Sequence, residues 1–133
     1  MTFTIFRSDK GDCLLLTSDG GTRMLADGGM SRAYSKHVAP NLGTAPLDLI
    51  YLSHIDQDHV AGILQFMDDT MAWRVYDYQK DQGLAPTKPK MKRPPLAKRI
   101  WHNAFHDQVS GNTGDITRML AASAELLAGG SGW

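Results

Sequence analysis

Ser53-His54-Ile55-Asp56-Gln57-Asp58-His59 sets two histidines and two aspartates within six consecutive positions. The run before it, Leu47-Asp48-Leu49-Ile50-Tyr51-Leu52, is short, apolar and β-branched enough for a buried strand. The run after it, Val60-Ala61-Gly62-Ile63-Leu64-Gln65-Phe66-Met67, reads as the start of a helix. The cluster is therefore expected at a strand-to-helix turn. Asp is a favoured N-cap residue, so one aspartate can be assigned to the helix end. A cap needs neither two histidines nor a second carboxylate. Imidazole and carboxylate donors packed this tightly suit a divalent metal, which lowers the pKa of bound water toward about 7.

Working outward, residues 2–7 alternate as a first strand, and Gly11-Asp12 turns the chain into a second strand at 13–17. Ser18-Asp19-Gly20-Gly21 is a hairpin signal, and residues 22–26 form a third strand. It ends at Asp27-Gly28-Gly29, an ordinary turn unless the cluster recruits it. A short helix over 31–38 is cut off by Pro40, the strand over 47–53 delivers the cluster, and a helix runs to about Asp69. Residues 73–78 (Trp, Arg, Val, Tyr, Asp, Tyr) read as another strand, and 98–105 as a further one. Asp115 is placed to cap a last helix, with Ile116, Met119, Leu120, Ala124 and Leu127 at helical spacing, ending at Gly129-Gly130. Strands preceding helices in this order give an α/β or α+β fold with a mixed sheet.

The 133 residues make one domain, 42% hydrophobic and 21% charged, as in soluble globular proteins. No apolar run reaches the roughly 18 residues of a membrane span, and the N-terminus lacks the layout of a secretory signal. The single cysteine, Cys13, sits in the apolar run Cys13-Leu14-Leu15-Leu16, so a buried thiol in a reducing, cytoplasmic compartment is expected. Net charge is zero, yet seven of the fourteen basic residues lie between Lys80 and Arg99, against the one acid Asp81. Pro86, Pro89, Pro94 and Pro95 interrupt that stretch, so 79–99 is expected as an exposed basic loop. It is either a solvated linker or an arm tracking phosphates through Lys88, Lys90, Lys92, Arg93, Lys98 and Arg99. Tyr76, Tyr78 and Trp101 flank it and could serve base stacking or packing alike. His102 and His106 are expected as surface or half-buried residues, and His37, in a short helix before a proline loop, as a structural or solvated one.

A strand ending in Ser-His-x-Asp-x-Asp-His-x-x-Gly, preceded by Gly11-Asp12-Cys13 and Asp27-Gly28-Gly29, resembles the metallo-β-lactamase fold superfamily. The usual signature has His where this chain has Asp56. That variant resembles the branch containing the nuclease-like domain of competence proteins and defence-associated nucleases, and residues 100–106 are a further, weaker likeness. The resemblance covers roughly residues 2 to 106. It implies that His54 and Asp56 bind a first metal and Asp58 and His59 a second, that Asp58 also positions and deprotonates the attacking water, and that Asp27 orients the ligands by hydrogen bonding. Gly62 matches the small residue where the helix passes close to the sheet. One or two ions, Zn²⁺ or Mn²⁺, are implied, and Asp at position 56 moves the preference toward harder ions such as Mn²⁺ or Mg²⁺. A complete domain of that kind has two αβ halves in an αββα sandwich of roughly 200 or more residues. The likeness is to its N-terminal half, so a C-terminal half or completing chain is the expected partner, with an oligomer as one form of assembly. The function implied is a metal-dependent hydrolase, a phosphodiesterase or nuclease with DNA or RNA as substrate and antiviral defence as setting. The alternatives are a fragment acting by assembly and a hydrolase of other substrates.

Overall fold

The computed structural model describes residues 1–102. Three short strands open the fold: β1 (Thr2–Ile5), β2 (Leu14–Thr17) and β3 (Arg23–Ala26). The β2–β3 hairpin closes with Gly21 N–H donating to Ser18 O at 3.0 Å, and Gly21 adopts φ 87°, a conformation that favours glycine. A helical stretch follows, α1 (Ser31–Ala33) running into the wide turn Tyr34–Val38 and the tight turn Ala39–Asn41, where Pro40 halts it. Strand β4 (Leu49–Leu52), the long helix α2 (Gln57–Asp81) and β5 (Ile100–His102) complete the described elements.

The five strands form one mixed sheet in the order β1-β2-β3-β4-β5. The first three are antiparallel neighbours, whereas β3–β4 and β4–β5 are parallel. Parallel neighbours need a crossover, which the Tyr34–Val38 region and then α2 supply. One sheet face, through Leu15, Leu25, Ile50 and Leu52, packs with Tyr34, Val38, Val60, Ile63 and Phe66 in the hydrophobic core. Successive side chains alternate across the sheet, so the paired residues Phe3–Leu16, Ile5–Leu14, Leu16–Met24, Met24–Leu49 and Tyr51–Trp101 share the opposite face. That face is apolar and open: Ile5 is 78% exposed, Phe3 59% and Trp101 58%.

The helix α2 corrects the expectation of a strand over 73–78. The chain stays helical from Gln57 to Asp81 with neither Gly nor Pro between Ile63 and Asp81 to interrupt it. Asp69 does not stop it, because its side chain turns inward and accepts a hydrogen bond from Gln65 Nε2 at 2.9 Å. Phe66, Thr70, Trp73 and Asp77 then recur every three to four residues, and Trp73 is buried, so packing overrides the strand preference of Val75, Tyr76 and Tyr78. Gly83, at φ 79°, lies just beyond the helix end. The basic segment consequently begins at Gln82 rather than Gln79. Of the expected strand 98–105, residues 100–102 are β5, whereas Lys98 and Arg99 precede it outside the strand; residues 103–105, His106 and the expected helix from Asp115 lie outside the described residues. No helix among the described residues is long and apolar enough to cross a membrane.

Candidate metal centre

Strand β4 ends at Leu52, and Ser53 to Asp56 make the turn into α2. Asp56 occupies the N-cap position, with its carbonyl accepting from His59 N at 2.9 Å and Val60 N at 3.0 Å. Its side chain makes no capping hydrogen bond and stays exposed. Asp58 sits in the first helical turn, where the helix dipole favours a negative charge. His59 follows it, half-buried, while His54 in the turn is exposed. The two imidazole rings lie side by side, centroids 5.2 Å apart and planes tilted by 41°.

The loop after β3 supports this turn from below. Asp27 is 4% exposed and adopts φ 57°, a left-handed conformation that Asp tolerates better than most residues. Its Oδ1 accepts the backbone N–H of Ser53 at 2.8 Å, and its Oδ2 lies 3.1 Å from His59 Nδ1 and 2.5 Å from Ser53 Oγ. A carboxylate only accepts, so His59 Nδ1 carries the proton and Nε2 presents its lone pair. That lone pair faces Asp58, whose Oδ1 is 3.8 Å from Nε2. Burial alone would lower the His59 pKa, but the hydrogen bond that His59 donates to Asp27 and the charges of Asp27, Asp58 and Asp12 outweigh it and hold the value above that of an ordinary histidine.

Close backbone contacts fix the parts to one another. Gly28 N–H donates to His59 O at 2.9 Å, and Gly62 N–H to Gly29 O at 2.8 Å. A methyl group at Gly62 would stand 1.8 Å from the Gly28 carbonyl oxygen, and one at Gly11 would stand 1.9 Å from the Asp58 carbonyl oxygen. Gly62 thus meets the loop after β3. Gly11, in the loop between β1 and β2, is a residue whose role the sequence pattern left unread, its signal being only Gly11-Asp12 before a strand. Cys13 is 1% exposed, and burial, helped by the charge of Asp27, pushes its thiol up to about 12, which makes it a packing residue.

The residues thus brought together are Asp27, Ser53, His54, Asp58 and His59, while Asp56 points to solvent beside them. No three His, Cys, Asp or Glu side chains among the described residues converge as a complete metal cage. The donor chemistry nevertheless fits one wall of such a site. An imidazole held through Nδ1 by a buried carboxylate, with Nε2 open beside a second carboxylate, is the arrangement metal-binding histidines adopt. Those nitrogen and oxygen donors suit Zn²⁺ or Mn²⁺.

The basic segment lies elsewhere. Leu47 N–H donates to Leu96 O, Lys98 N–H to Leu47 O and Ile50 N–H to Arg99 O, so the segment rejoins the sheet at the start of β4, the end opposite the His54–His59 turn. Arg93 is held on α2 by a two-pronged hydrogen bond to Asp77 (2.6 and 2.9 Å) and by stacking 4.4 Å from the Trp73 ring centroid. Trp73 Nε1 donates to Met91 O at 3.1 Å. At 1.5 Å per residue, Trp73 and Asp77 lie about 24 and 30 Å along the helix from Gln57. Lys98 pairs with Asp48 at 2.7 Å, and Lys92 Nζ contacts Pro40 O at 3.4 Å. Lys88, Lys90 and Arg99 are exposed. Trp73 is covered, whereas Tyr78 and Trp101 are open. Compared with known proteins, the chain matches no protein-family model, no curated protein and no solved structure.

Proposed function

We propose that the chain supplies one wall of a metal-dependent hydrolytic centre that cleaves phosphodiester bonds, as the N-terminal half of a metallo-β-lactamase-like fold. The observation carrying this reading is His59, oriented through Nδ1 by buried Asp27 with Nε2 turned toward Asp58. A bound divalent ion would supply Lewis acidity and bring the pKa of water toward about 7. Asp27 keeps the His59 ring from rotating, Asp58 holds the attacking water and accepts its proton, and His54 and Asp56 are the next donors available on the same turn. Lys88, Lys90 and Lys92 favour a polyanionic substrate, since each lysine placed on a phosphate releases counterions. With Arg93 and Lys98 engaged by Asp77 and Asp48, these three and the exposed Arg99 carry that role. With a completing half or partner chain present, the chain is expected to retain Zn²⁺ or Mn²⁺ and to cleave DNA or RNA, and the cleavage tests below use that completed form. Loss of the Asp58 carboxylate in Asp58→Ala should slow cleavage by about 10²–10⁴-fold. Replacing the three lysines by Gln should flatten the salt dependence of duplex DNA binding by about 2.7 in the log–log slope. An Asp58→Ala protein cleaving at the unmodified rate would refute the hydrolytic reading.

A second reading, in which the chain acts by assembly, is favoured by the apolar outer sheet face with its exposed Phe3, Ile5 and Trp101. An exposed apolar sheet surface of this kind marks an interaction surface, and a second sheet with its own apolar face packs on such a surface at about 10 Å. Light scattering on the eluting chain is expected to show self-association that Ile5→Lys abolishes. A monodisperse monomer with no binding of an apolar dye would count decisively against assembly.

A further inference from the structure

The Ser53 hydroxyl stands between the buried carboxylate and the second histidine. Its Oγ is 2.5 Å from Asp27 Oδ2 and 3.0 Å from His54 Nδ1. A serine hydroxyl has one proton to donate, and a carboxylate oxygen can only accept. The proton of Ser53 therefore lies toward Asp27. What remains on Oγ is a lone pair, so the partner at His54 Nδ1 must be an N–H. The reverse arrangement would set an oxygen lone pair against the carboxylate at 2.5 Å, with no hydrogen between them.

We infer that Ser53 is a positioning residue that relays Asp27 to His54, so that one buried carboxylate fixes the same tautomer in both histidines. Asp27 reaches His59 directly and His54 through the hydroxyl. Both rings then carry the proton on Nδ1 and present Nε2 as an acceptor. The consequence for metal binding rests on the reading proposed above, whereas the tautomers are a property of the metal-free chain. His54 is exposed and has no burial to hold its ring, which makes the hydroxyl the element that fixes its orientation. Asp27 also accepts the backbone N–H of Ser53, so the loop stays anchored when the hydroxyl is removed.

The test uses the full chain and zinc ion alone. Long-range proton–nitrogen spectra of the metal-free protein at alkaline pH report which ring nitrogen of each histidine is protonated. The expected spectrum shows Nδ1–H for His54 and His59. In Ser53→Ala, His54 should move to a mixture of tautomers while His59 keeps Nδ1–H, and Ser53→Thr should restore the unmodified pattern. Zinc affinity, measured against a chelating dye, should weaken by about 10–100-fold in Ser53→Ala and recover in Ser53→Thr. A His54 protonated on Nε2 in the unmodified chain would overturn the relay, as would a Ser53→Ala spectrum identical to it. Nδ1–H on both rings without zinc binding would uphold the relay and remove the metal reading. Zinc binding with a His54 of mixed tautomers would do the opposite.

Discussion

Asp27→Ala should lower the stability of the chain by about 4 kcal/mol or more. The substitution removes the acceptor of three hydrogen bonds together: the Ser53 N–H, the Ser53 hydroxyl and His59 Nδ1–H. Each donor left unpaired in a buried or half-buried place costs about 1–3 kcal/mol. Alanine must also adopt the left-handed conformation that Asp27 holds at φ 57°, at about 1–2 kcal/mol. A domain of this size has roughly 5–15 kcal/mol in hand, so the variant would stand near its unfolding threshold. Asp27→Asn keeps an acceptor oxygen and tolerates the backbone conformation, and should recover more than half of the loss. Urea unfolding separates the cases through the midpoint at constant slope. A loss below about 0.5 kcal/mol for Asp27→Ala, as at an ordinary surface position, would show that the carboxylate does not organise the turn.

Gly62→Ala should be destabilising although it places the best helix former inside a helix. Helix propensity alone would make the change favourable by about 1 kcal/mol. The added methyl would stand 1.8 Å from the Gly28 carbonyl oxygen, and both partners are backbone. No rotamer relieves such a contact. The loop carrying Asp27 has to retreat from α2, stretching the bonds Gly28 N–H to His59 O and Gly62 N–H to Gly29 O. Overpacking of this kind costs about 1–3 kcal/mol where side chains can adjust, and the rigid backbone places the cost at or above about 3 kcal/mol. With about 2–8 °C per kcal/mol for domains bracketing this size, the melting temperature should fall by about 6 °C or more. A melting temperature equal to or above that of the unmodified chain would mean that helix propensity prevails and that the loop and helix are not in this contact. The same retreat draws Asp27 away from His59, so on the proposed metal reading any zinc affinity should fall with stability.

What the sequence made legible was whatever depends on local pattern. The apolar run before Ser53, the Gly-rich hairpin at Ser18 to Gly21 and the polar cluster at a strand-to-helix turn each follow from neighbours a few residues apart. The length of α2 was not legible, because Val75, Tyr76 and Tyr78 carry strand preference and nothing in the local pattern marks Asp69 as a buried residue. Nor was the engagement of Arg93 and Lys98, since Asp77 and Asp48 lie 16 and 50 residues away. Asp27 could be suspected from Asp-Gly-Gly, but its three bonds span 26 and 32 residues. The role of Ser53 depends on where one hydroxyl points between two partners, which no spacing rule encodes.

Arg93, clasped between Asp77 and Trp73, gives the segment that follows α2 a fixed point of attachment well away from the His54–His59 turn. Between the helix end at Asp81 and that clasp, the chain passes through the exposed residues Leu84, Ala85 and Thr87. A dye, an affinity tag or a short foreign peptide spliced there would ride on a stiff rod about 37 Å long without entering the loops that hold Asp27 and His59. The clasp makes this stretch a ready-made handle, at which the chain can be tethered or labelled while its histidines are studied undisturbed.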